Sequence, residues 1–186
     1  AMDDAGWRPT LRTPPQILES LQALRGSLCP LFSVDSLLAV ACMIDILHCV
    51  DLGVCCHILA NIFVEVMALG VFGSNQKDSA AGLEQEINEW YKTCPQSAKL
   101  QGDLNYSRIK TANDWPKLKI KAAAARHLTK FGKYLAHRYN DGSKHDKRRY
   151  AVVCLLDRFY EICDGSGRYF SQSCLVELGT LGKLLF

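Results

Sequence analysis

Several common signals of enzyme chemistry are missing from this sequence. It contains no Cys-x-x-Cys pair despite its nine cysteines, which argues against a structural zinc site, because zinc ligands usually come in such pairs. It has no glycine-rich phosphate loop and no Gly-x-Ser-x-Gly turn, so the motifs of P-loop nucleotide binding and of α/β-hydrolase catalysis are absent. No enzyme class is therefore indicated by a complete motif.

Positive charge is scarce in the first half of the chain and abundant in the second. Residues 1–90 contain four Lys or Arg against eleven Asp or Glu, whereas residues 117–158 contain twelve against three. Such an uneven distribution is typical of a region that binds a polyanion. The same distribution is expected if the two halves face each other and partly neutralise each other's charge. Both interpretations remain open at the level of sequence.

The cysteines lie mostly in apolar stretches, and their number is odd. Secreted disulfide scaffolds are usually shorter and rich in loops, whereas a free buried cysteine behaves as a small hydrophobic residue. We therefore expect a reducing, intracellular compartment. A cysteine nucleophile would need a partnered base, and proximity of Cys and His in the sequence does not establish that geometry.

Residues 52–72 are apolar and about long enough to span a bilayer. His57, Asn61 and Glu65 recur every four residues within this stretch, so they lie on one face of a helix. A lipid-exposed span rarely carries three polar groups on one face. The pattern favours an amphipathic helix packed against a protein core, and a transmembrane span is not expected.

Helical periodicity dominates the chain after a loose polar segment at residues 1–13. Residues 37–50 are almost continuously apolar and fit either a buried helix or a buried strand. The prediction is a mainly α protein, a single irregular or orthogonal helical bundle over residues 14–186 with at most one or two short strands. We predict helices near residues 14–25, 52–69, 78–91, 117–139, 147–162 and 173–185.

Asp45 and His48 form the first candidate site. On a helix they lie at positions i and i+3 and share a face. A carboxylate embedded in apolar sequence is costly unless it is paired or binds a cation. Two interpretations remain open: a hydrogen-bonded Asp–His pair in the core, or Asp45 as an oxygen ligand of Mg²⁺ that is oriented by His48.

Basic residues of the second half form the other candidate site. Lys and Arg hold phosphate groups without sequence specificity, and interleaved aromatic residues can stack on bases. Solvated basic helix faces are also common in proteins that bind no nucleic acid. The candidate nucleic-acid-binding residues are Lys121, Arg126, Lys130, Lys133, Arg138, Lys147, Arg148 and Arg149.

The run from Ile44 to Val54, which includes Asp45-Ile46-Leu47-His48, resembles a segment of cut-and-paste DNA transposases of the CACTA and related superfamilies. In those proteins the second catalytic aspartate of an RNase H-like core stands near an Asp/Cys-x-x-His motif, which precedes a helix and a mostly helical insertion. The resemblance implies that Asp45 is a catalytic Mg²⁺ ligand and that His48 supports it. It also implies that the basic helices hold DNA, in the nucleus.

The resemblance is loose outside this motif, although it extends over about residues 35–165. No strand unit carrying a first carboxylate precedes residue 45, and no late glutamate stands in the context that the family requires. We therefore expect a transposase-derived, DNA-associated helical domain without catalytic activity in isolation. The alternative is a non-catalytic helical subunit of a larger assembly, including a membrane-associated one, whose apolar residues 37–72 and 184–186 face partner proteins.

Overall fold

The structure is a computed structural model, and it shows the mainly α protein that the sequence predicts. No strand is present in the part of the chain that it describes. The predicted helix near residues 14–25 lies, apart from two isolated residues, outside that part. Of the segment 37–50, which fitted either a helix or a strand, only residues 46–50 are described, and they are helical. The described residues are Gln16, Glu19, 46–95, 97–110, 114–167 and 169–185.

A π-helical segment, Leu47–Cys55, runs without a break into the first α-helix, α1, at Cys56–Ala68. The observed helices correspond to those predicted from residue 52 onwards, with shifted ends, and a single helical turn lies between the second and third of them. The remaining helices of the described residues are α2 (Gln76–Thr93), α3 (Tyr106–Ile109), α4 (Ala122–Arg138), α5 (Lys144–Gly165) and α6 (Gln172–Leu185).

The continuous helix Leu47–Ala68 lies at the centre of the fold. Both α4 and α2 pack against it, α5 packs on α4, and α6 packs on α5. Phe63 and Phe131 meet edge to face, with ring centroids 6.0 Å apart, and each buried side chain of this size contributes about 1.5–3 kcal/mol. The buried residues of the central helix are Asp51, Cys55, Cys56, Leu59, Ala60, Ile62, Phe63, Val66 and Met67.

The crossing of α1 and α4 depends on Gly132. A Cβ atom at this position would lie 2.6 Å from Cδ2 of Leu59, and Leu59 is fully buried. The missing side chain therefore allows the two helices to approach closely. This approach positions α4, which carries Lys130 and follows directly on Lys121, against the rest of the bundle.

Helix ends differ from the predicted ones because of local capping. α2 begins earlier than expected because Asn75 is its N-cap, and Asn75 Oδ1 accepts a 2.9 Å hydrogen bond from the Asp78 backbone N–H. α5 likewise begins at Lys144, because Ser143 Oγ accepts from the Asp146 N–H at 3.1 Å. In both helices a side-chain oxygen satisfies a first-turn N–H that has no intrahelical acceptor.

Residues 117–121 are extended rather than helical, which corrects the predicted start of the long basic helix. They read Lys-Leu-Lys-Ile-Lys, an alternation typical of extended chain. Leu118 is buried and donates its N–H to the Cys56 carbonyl at 3.0 Å, while the Lys119 N–H donates to the Arg108 carbonyl at 2.8 Å. The lysines of this segment consequently point away from the core, and α4 begins only at residue 122.

One helix of the described residues, Leu47–Ala68, has the length and composition of a membrane span. Two of the three polar residues on one side of this helix have partners elsewhere in the chain. His57 Nδ1 lies 2.9 Å from the Pro116 carbonyl oxygen, and the Glu65 carboxylate binds Arg149 at 2.9 Å. The third, Asn61, is exposed and donates to the His57 carbonyl of the same helix at 2.8 Å.

The last helix, α6, exposes three of its six Leu and Val side chains. Leu181 is buried, but Leu175 is 49% exposed. An ion pair between Arg158 Nε and Glu177 Oε1, 2.7 Å apart, connects α5 to α6. This helix is therefore held by a small apolar contact and by charge.

Candidate nucleic-acid interface

Asp45, the predicted catalytic residue and Mg²⁺ ligand, lies outside the described residues. His48 is exposed and belongs to the π-helical segment, whose hydrogen bonds run from i to i+5 rather than from i to i+4. Within the described part of the chain, no three His, Cys, Asp or Glu side chains are grouped closely enough to hold a metal ion. Both interpretations of the Asp45–His48 pair stay predictions.

A buried carboxylate that the sequence analysis did not single out lies farther along the same segment. Asp51 is 6% exposed, and its Oδ1 accepts a 2.7 Å hydrogen bond from the Tyr160 hydroxyl of α5. Burial raises the pKa of Tyr160, so this phenol keeps its proton and acts as a donor. The sequence did carry a signal, because Asp51, like Asp45, is an acidic residue within an apolar run.

Two neighbouring cysteines complete this buried polar cluster. Cys55 Sγ lies 3.3 Å from Thr129 Oγ1 of α4 and 3.4 Å from the Ala125 carbonyl oxygen. Burial raises the pKa of Cys55 to about 12 and that of Cys56 to about 11. Since the thiolate is the nucleophilic form, neither cysteine is suited to nucleophilic catalysis at neutral pH.

Two of the eight predicted phosphate-binding residues are paired with carboxylates of α5. Lys133 Nζ lies 2.6 Å from Oδ2 of Asp157, whose side chain is 5% exposed, and this hydrogen bond raises the pKa of Lys133. Arg126 forms an ion pair with Asp164, and its guanidinium lies 5.0 Å from the centre of the Tyr160 ring. These two cations neutralise nearby carboxylates and join α4 to α5.

Two further predicted residues also have carboxylate partners. Arg138 binds Glu86 of α2 at 3.1 Å. Arg149, whose side chain is only 8% exposed, binds Glu65 at 2.9 Å and Asp146 at 3.1 Å. Half of the predicted set is therefore ion-paired, and two of these four residues, Arg138 and Arg149, bind carboxylates from the acidic first half of the chain.

The other four predicted residues are exposed and, within the described part of the chain, have no carboxylate at ion-pair distance. Lys121 and Lys130 lie in the first half of α4 and just before it, and Lys147 and Arg148 lie in the first turns of α5. Since α4 and α5 are joined by a short turn, the two pairs lie toward opposite ends of this helical hairpin. The eight residues are consequently not gathered in one patch.

A groove of about 400 Å³ at the beginning of α4 brings together a different set of cations. Four of its lining residues are Lys or Arg, and none of the described residues that line it is Asp or Glu. We call it the α4 groove. Only Lys121 was in the predicted set, because the other walls come from the irregular region between α2 and α4. The lining residues are Lys99, Gln101, Arg108, Lys119, Ile120, Lys121 and Ala124.

Arg108 holds the walls of the α4 groove together. Its Nη1 donates to the carbonyl oxygens of Gln101 at 3.0 Å, Gly102 at 3.2 Å and Asp103 at 2.7 Å. Its Nε and Nη2 both donate to the carbonyl oxygen of Lys119 at 3.3 Å. All of these acceptors are neutral, so the guanidinium fixes the two walls, and no carboxylate of the described residues forms an ion pair with it.

A larger cleft of about 540 Å³ lies between α4 and α5, and its charge is mixed. Arg126, His127 and Lys130 line it together with three carboxylates, those of Asp157, Glu161 and Asp164. The acidic lining makes this cleft a poor seat for a polyanion, because like charges repel at short range. The α4 groove is thus the better candidate for anion binding.

The fold and the groove together define a mainly α protein with a basic surface groove. No protein-family model, no curated protein and no solved structure matches the chain.

Proposed function

We propose that this chain is a transposase-derived helical domain that associates with DNA and does not cut it in isolation. The observation that carries the proposal is the α4 groove, where four cations converge and no carboxylate among the described residues lines the surface. The resemblance around Asp45 and His48 supports a transposase origin. These two residues keep the roles that the resemblance implies, Mg²⁺ binding and its support, and they need the other carboxylates of a complete core to act.

DNA association follows from the chemistry of the exposed cations. Lys and Arg that approach phosphates release condensed counterions, and this release supplies affinity that does not depend on sequence. Lys147 and Arg148 add exposed positive charge toward the other end of the α4–α5 hairpin, and Lys130 adds one at the edge of the mixed-charge cleft. We therefore expect binding that is weakly selective for sequence and steeply dependent on salt.

The test uses three double variants that each remove two positive charges. Two of them address the proposed surface: Lys121→Gln with Lys130→Gln, and Lys147→Gln with Arg148→Gln. The matched control, Lys77→Gln with Lys183→Gln, changes exposed lysines on α2 and α6. Binding of each to labelled duplex and single-stranded DNA is measured by fluorescence anisotropy over a series of salt concentrations.

The wild-type chain should bind at low salt and lose affinity steeply as salt rises. Each variant of the proposed surface should bind more weakly, with a slope of log affinity against log salt that is smaller by up to about 2, whereas the control should keep the wild-type slope. Absence of binding at low salt would refute the proposal. Equal losses in all three variants would show that only net charge acts, and would contradict a defined DNA-binding surface.

A second candidate function, a helical subunit of a larger assembly, is favoured by the surface of α6. Leu175, Val176 and Leu184 are 49%, 62% and 62% exposed, and clustered exposed apolar residues often mark protein interfaces. Analytical ultracentrifugation of the wild type and of a Val176→Asp, Leu184→Asp variant tests it for self-assembly. An oligomer that dissociates in the variant supports this function, and a monomer in both argues against self-assembly through α6.

A further inference from the structure

We infer that the α4 groove is a site for a single phosphate group, held by Lys99, Lys119 and Lys121 and shaped by Arg108. The inference rests on the proposed function in so far as the phosphate belongs to DNA. A phosphodiester of DNA and the phosphate of a small phosphorylated ligand share the chemistry that the groove would recognise, and the experiment below separates them.

The positive charge of the α4 groove is not balanced by carboxylates of its described lining residues. Elsewhere on the α4–α5 hairpin, cations that lie close to other elements are matched by carboxylates, as Lys133 is by Asp157 and Arg149 by Glu65. The α4 groove departs from this pattern, because its four cations converge with no acidic residue among the described lining residues. Like charges that lie close together repel one another, and a bound anion would relieve that repulsion.

The shape of the α4 groove is set by hydrogen bonds within the protein. Arg108 spans it with hydrogen bonds to carbonyl oxygens on the Gln101–Asp103 side and to Lys119 on the other side. The flexible ammonium groups of Lys99 and Lys119 therefore stand on a fixed frame. Charge-assisted hydrogen bonds from several cations suit a phosphate, whose oxygens accept in several directions.

The backbone of α4 adds donors to the site that the cations define. Ala124, in the first turn, lines the groove. The first helical hydrogen bond runs from the Ala125 N–H to the Lys121 carbonyl, and Lys121 provides no side-chain cap. The three N–H groups before Ala125 have no acceptor within the helix, so they are available to an anion that the lysines hold.

The experiment titrates inorganic phosphate into the full chain at constant ionic strength, with chloride as the replaced ion. Two quantities are followed: the Tm, and the ¹⁵N-resolved amide signals of Gln101, Ile120 and Ala124. The variant is Lys99→Gln with Lys119→Gln, both of which are exposed positions. The matched control is again Lys77→Gln with Lys183→Gln.

Phosphate should raise the Tm of the wild type and of the control. It should also shift the amide signals of the three groove residues, and these shifts should reach a plateau as the phosphate concentration rises. The groove variant should bind phosphate about tenfold more weakly or worse, because it loses two charge-assisted contacts. Without phosphate, the variant should be at least as stable as the wild type, since repulsion is relieved. If the two lysines had a purely structural role, the variant would instead be less stable than the wild type. Either that result or groove amide signals that do not shift with phosphate would overturn the inference.

Arg108→Lys tests the positioning role of the guanidinium. The charge is kept, but a lysine cannot donate to both walls at once. We expect altered amide signals of residues 101–103 before any ligand is added, and weaker phosphate binding at unchanged net charge. Phosphate affinity equal to that of the wild type would show that Arg108 does not shape the site.

A thymidine oligonucleotide distinguishes the source of the phosphate. If it shifts the same groove amides as inorganic phosphate, the site takes the phosphodiester of a nucleic acid. If phosphate saturates the groove but no DNA binds at low salt, the proposed function fails and the site serves a small phosphorylated ligand. If DNA binds equally well to the wild type and to the groove variant, and phosphate shifts nothing, the groove inference fails and the proposed function stands.

Discussion

The hydroxyl of Tyr160 donates a 2.7 Å hydrogen bond to Oδ1 of Asp51, and the two residues are 109 positions apart in the sequence. Both side chains are buried, so this contact lies between the central helix and α5 within the core. A buried acceptor that loses its donor keeps its full desolvation cost. The contact therefore makes the packing of α5 sensitive to a single hydroxyl group.

Tyr160→Phe should destabilise the protein by about 1–3 kcal/mol, because the ring stays while Asp51 loses its donor. Urea unfolding measures the change. Asp51→Asn and the double variant complete a double-mutant cycle, in which we expect a coupling of about 0.5–3 kcal/mol. Strictly additive effects of the two substitutions would show that this hydrogen bond does not contribute to stability.

The buried Cys55 thiol should make stability fall at alkaline pH. Burial raises its pKa from 9.0 to about 12, so the folded state holds the proton that the unfolded state releases. The stability that it contributes is complete below pH 9 and is lost between pH 9 and about 12, at up to about 1.4 kcal/mol per pH unit. Urea unfolding of the wild type and Cys55→Ala at pH 8, 9 and 10 should show a shrinking difference between them. A constant difference would contradict this account.

Arg148 and Arg149 are neighbours in the sequence, and their substitutions should act on different properties. Arg149→Ala leaves Glu65 and Asp146 without their partner and should cost about 3 kcal/mol of stability. Arg148→Ala removes an exposed cation and should change stability by less than about 0.5 kcal/mol. Thermal unfolding measures both. Similar losses of stability in the two variants would contradict this prediction, because it assigns the stabilising ion pairs to Arg149 and not to Arg148.

Gly82 and Gly179 both lie inside helices, and alanine should have opposite effects at the two positions. A Cβ atom at Gly82 would lie 2.4 Å from the Phe72 carbonyl oxygen, whereas a Cβ at Gly179 meets nothing within 4 Å. Gly82→Ala should therefore destabilise by about 1–3 kcal/mol, because the backbone of the 69–75 turn must move. Gly179→Ala should stabilise by about 0.5–1 kcal/mol through helix propensity. Differential scanning calorimetry decides, and a stabilised Gly82→Ala would contradict the close contact.

The helices could be predicted because each depends on local periodicity. Leu83 and Ile87 of α2, for example, are spaced so that they lie on one face of a helix, and both are buried. The extended segment 117–121 was missed because the helical pattern of α4 was continued backwards through it. The alternation of Lys with Leu118 and Ile120 was visible in the sequence. The reason that this segment is not helical is seen only in the fold, where its backbone N–H groups donate to carbonyls of Cys56 and of α3.

The candidate site was less predictable, because pairing of charges is a long-range property. The carboxylate that engages Arg138 is Glu86, 52 positions away, and nothing in the local sequence of α4 reveals it. The same holds for the α4 groove, whose walls come from residues 99–101, from Arg108 and from the start of α4. Composition predicted a basic region, but only the fold separates the cations that are neutralised from those that remain available.

The central position of Leu47–Ala68 has a consequence for how the chain acquires its structure during synthesis. The helix leaves the ribosome well before its partners, since Cys55 meets Thr129 74 positions later and Asp51 meets Tyr160 109 positions later. Contacts between residues that are so far apart in the sequence form late, because closing the long loop between them costs entropy. Until α4 and α5 are made, the most apolar helix of the described chain remains uncovered, and a nascent chain that stalls there exposes an aggregation-prone surface to chaperones.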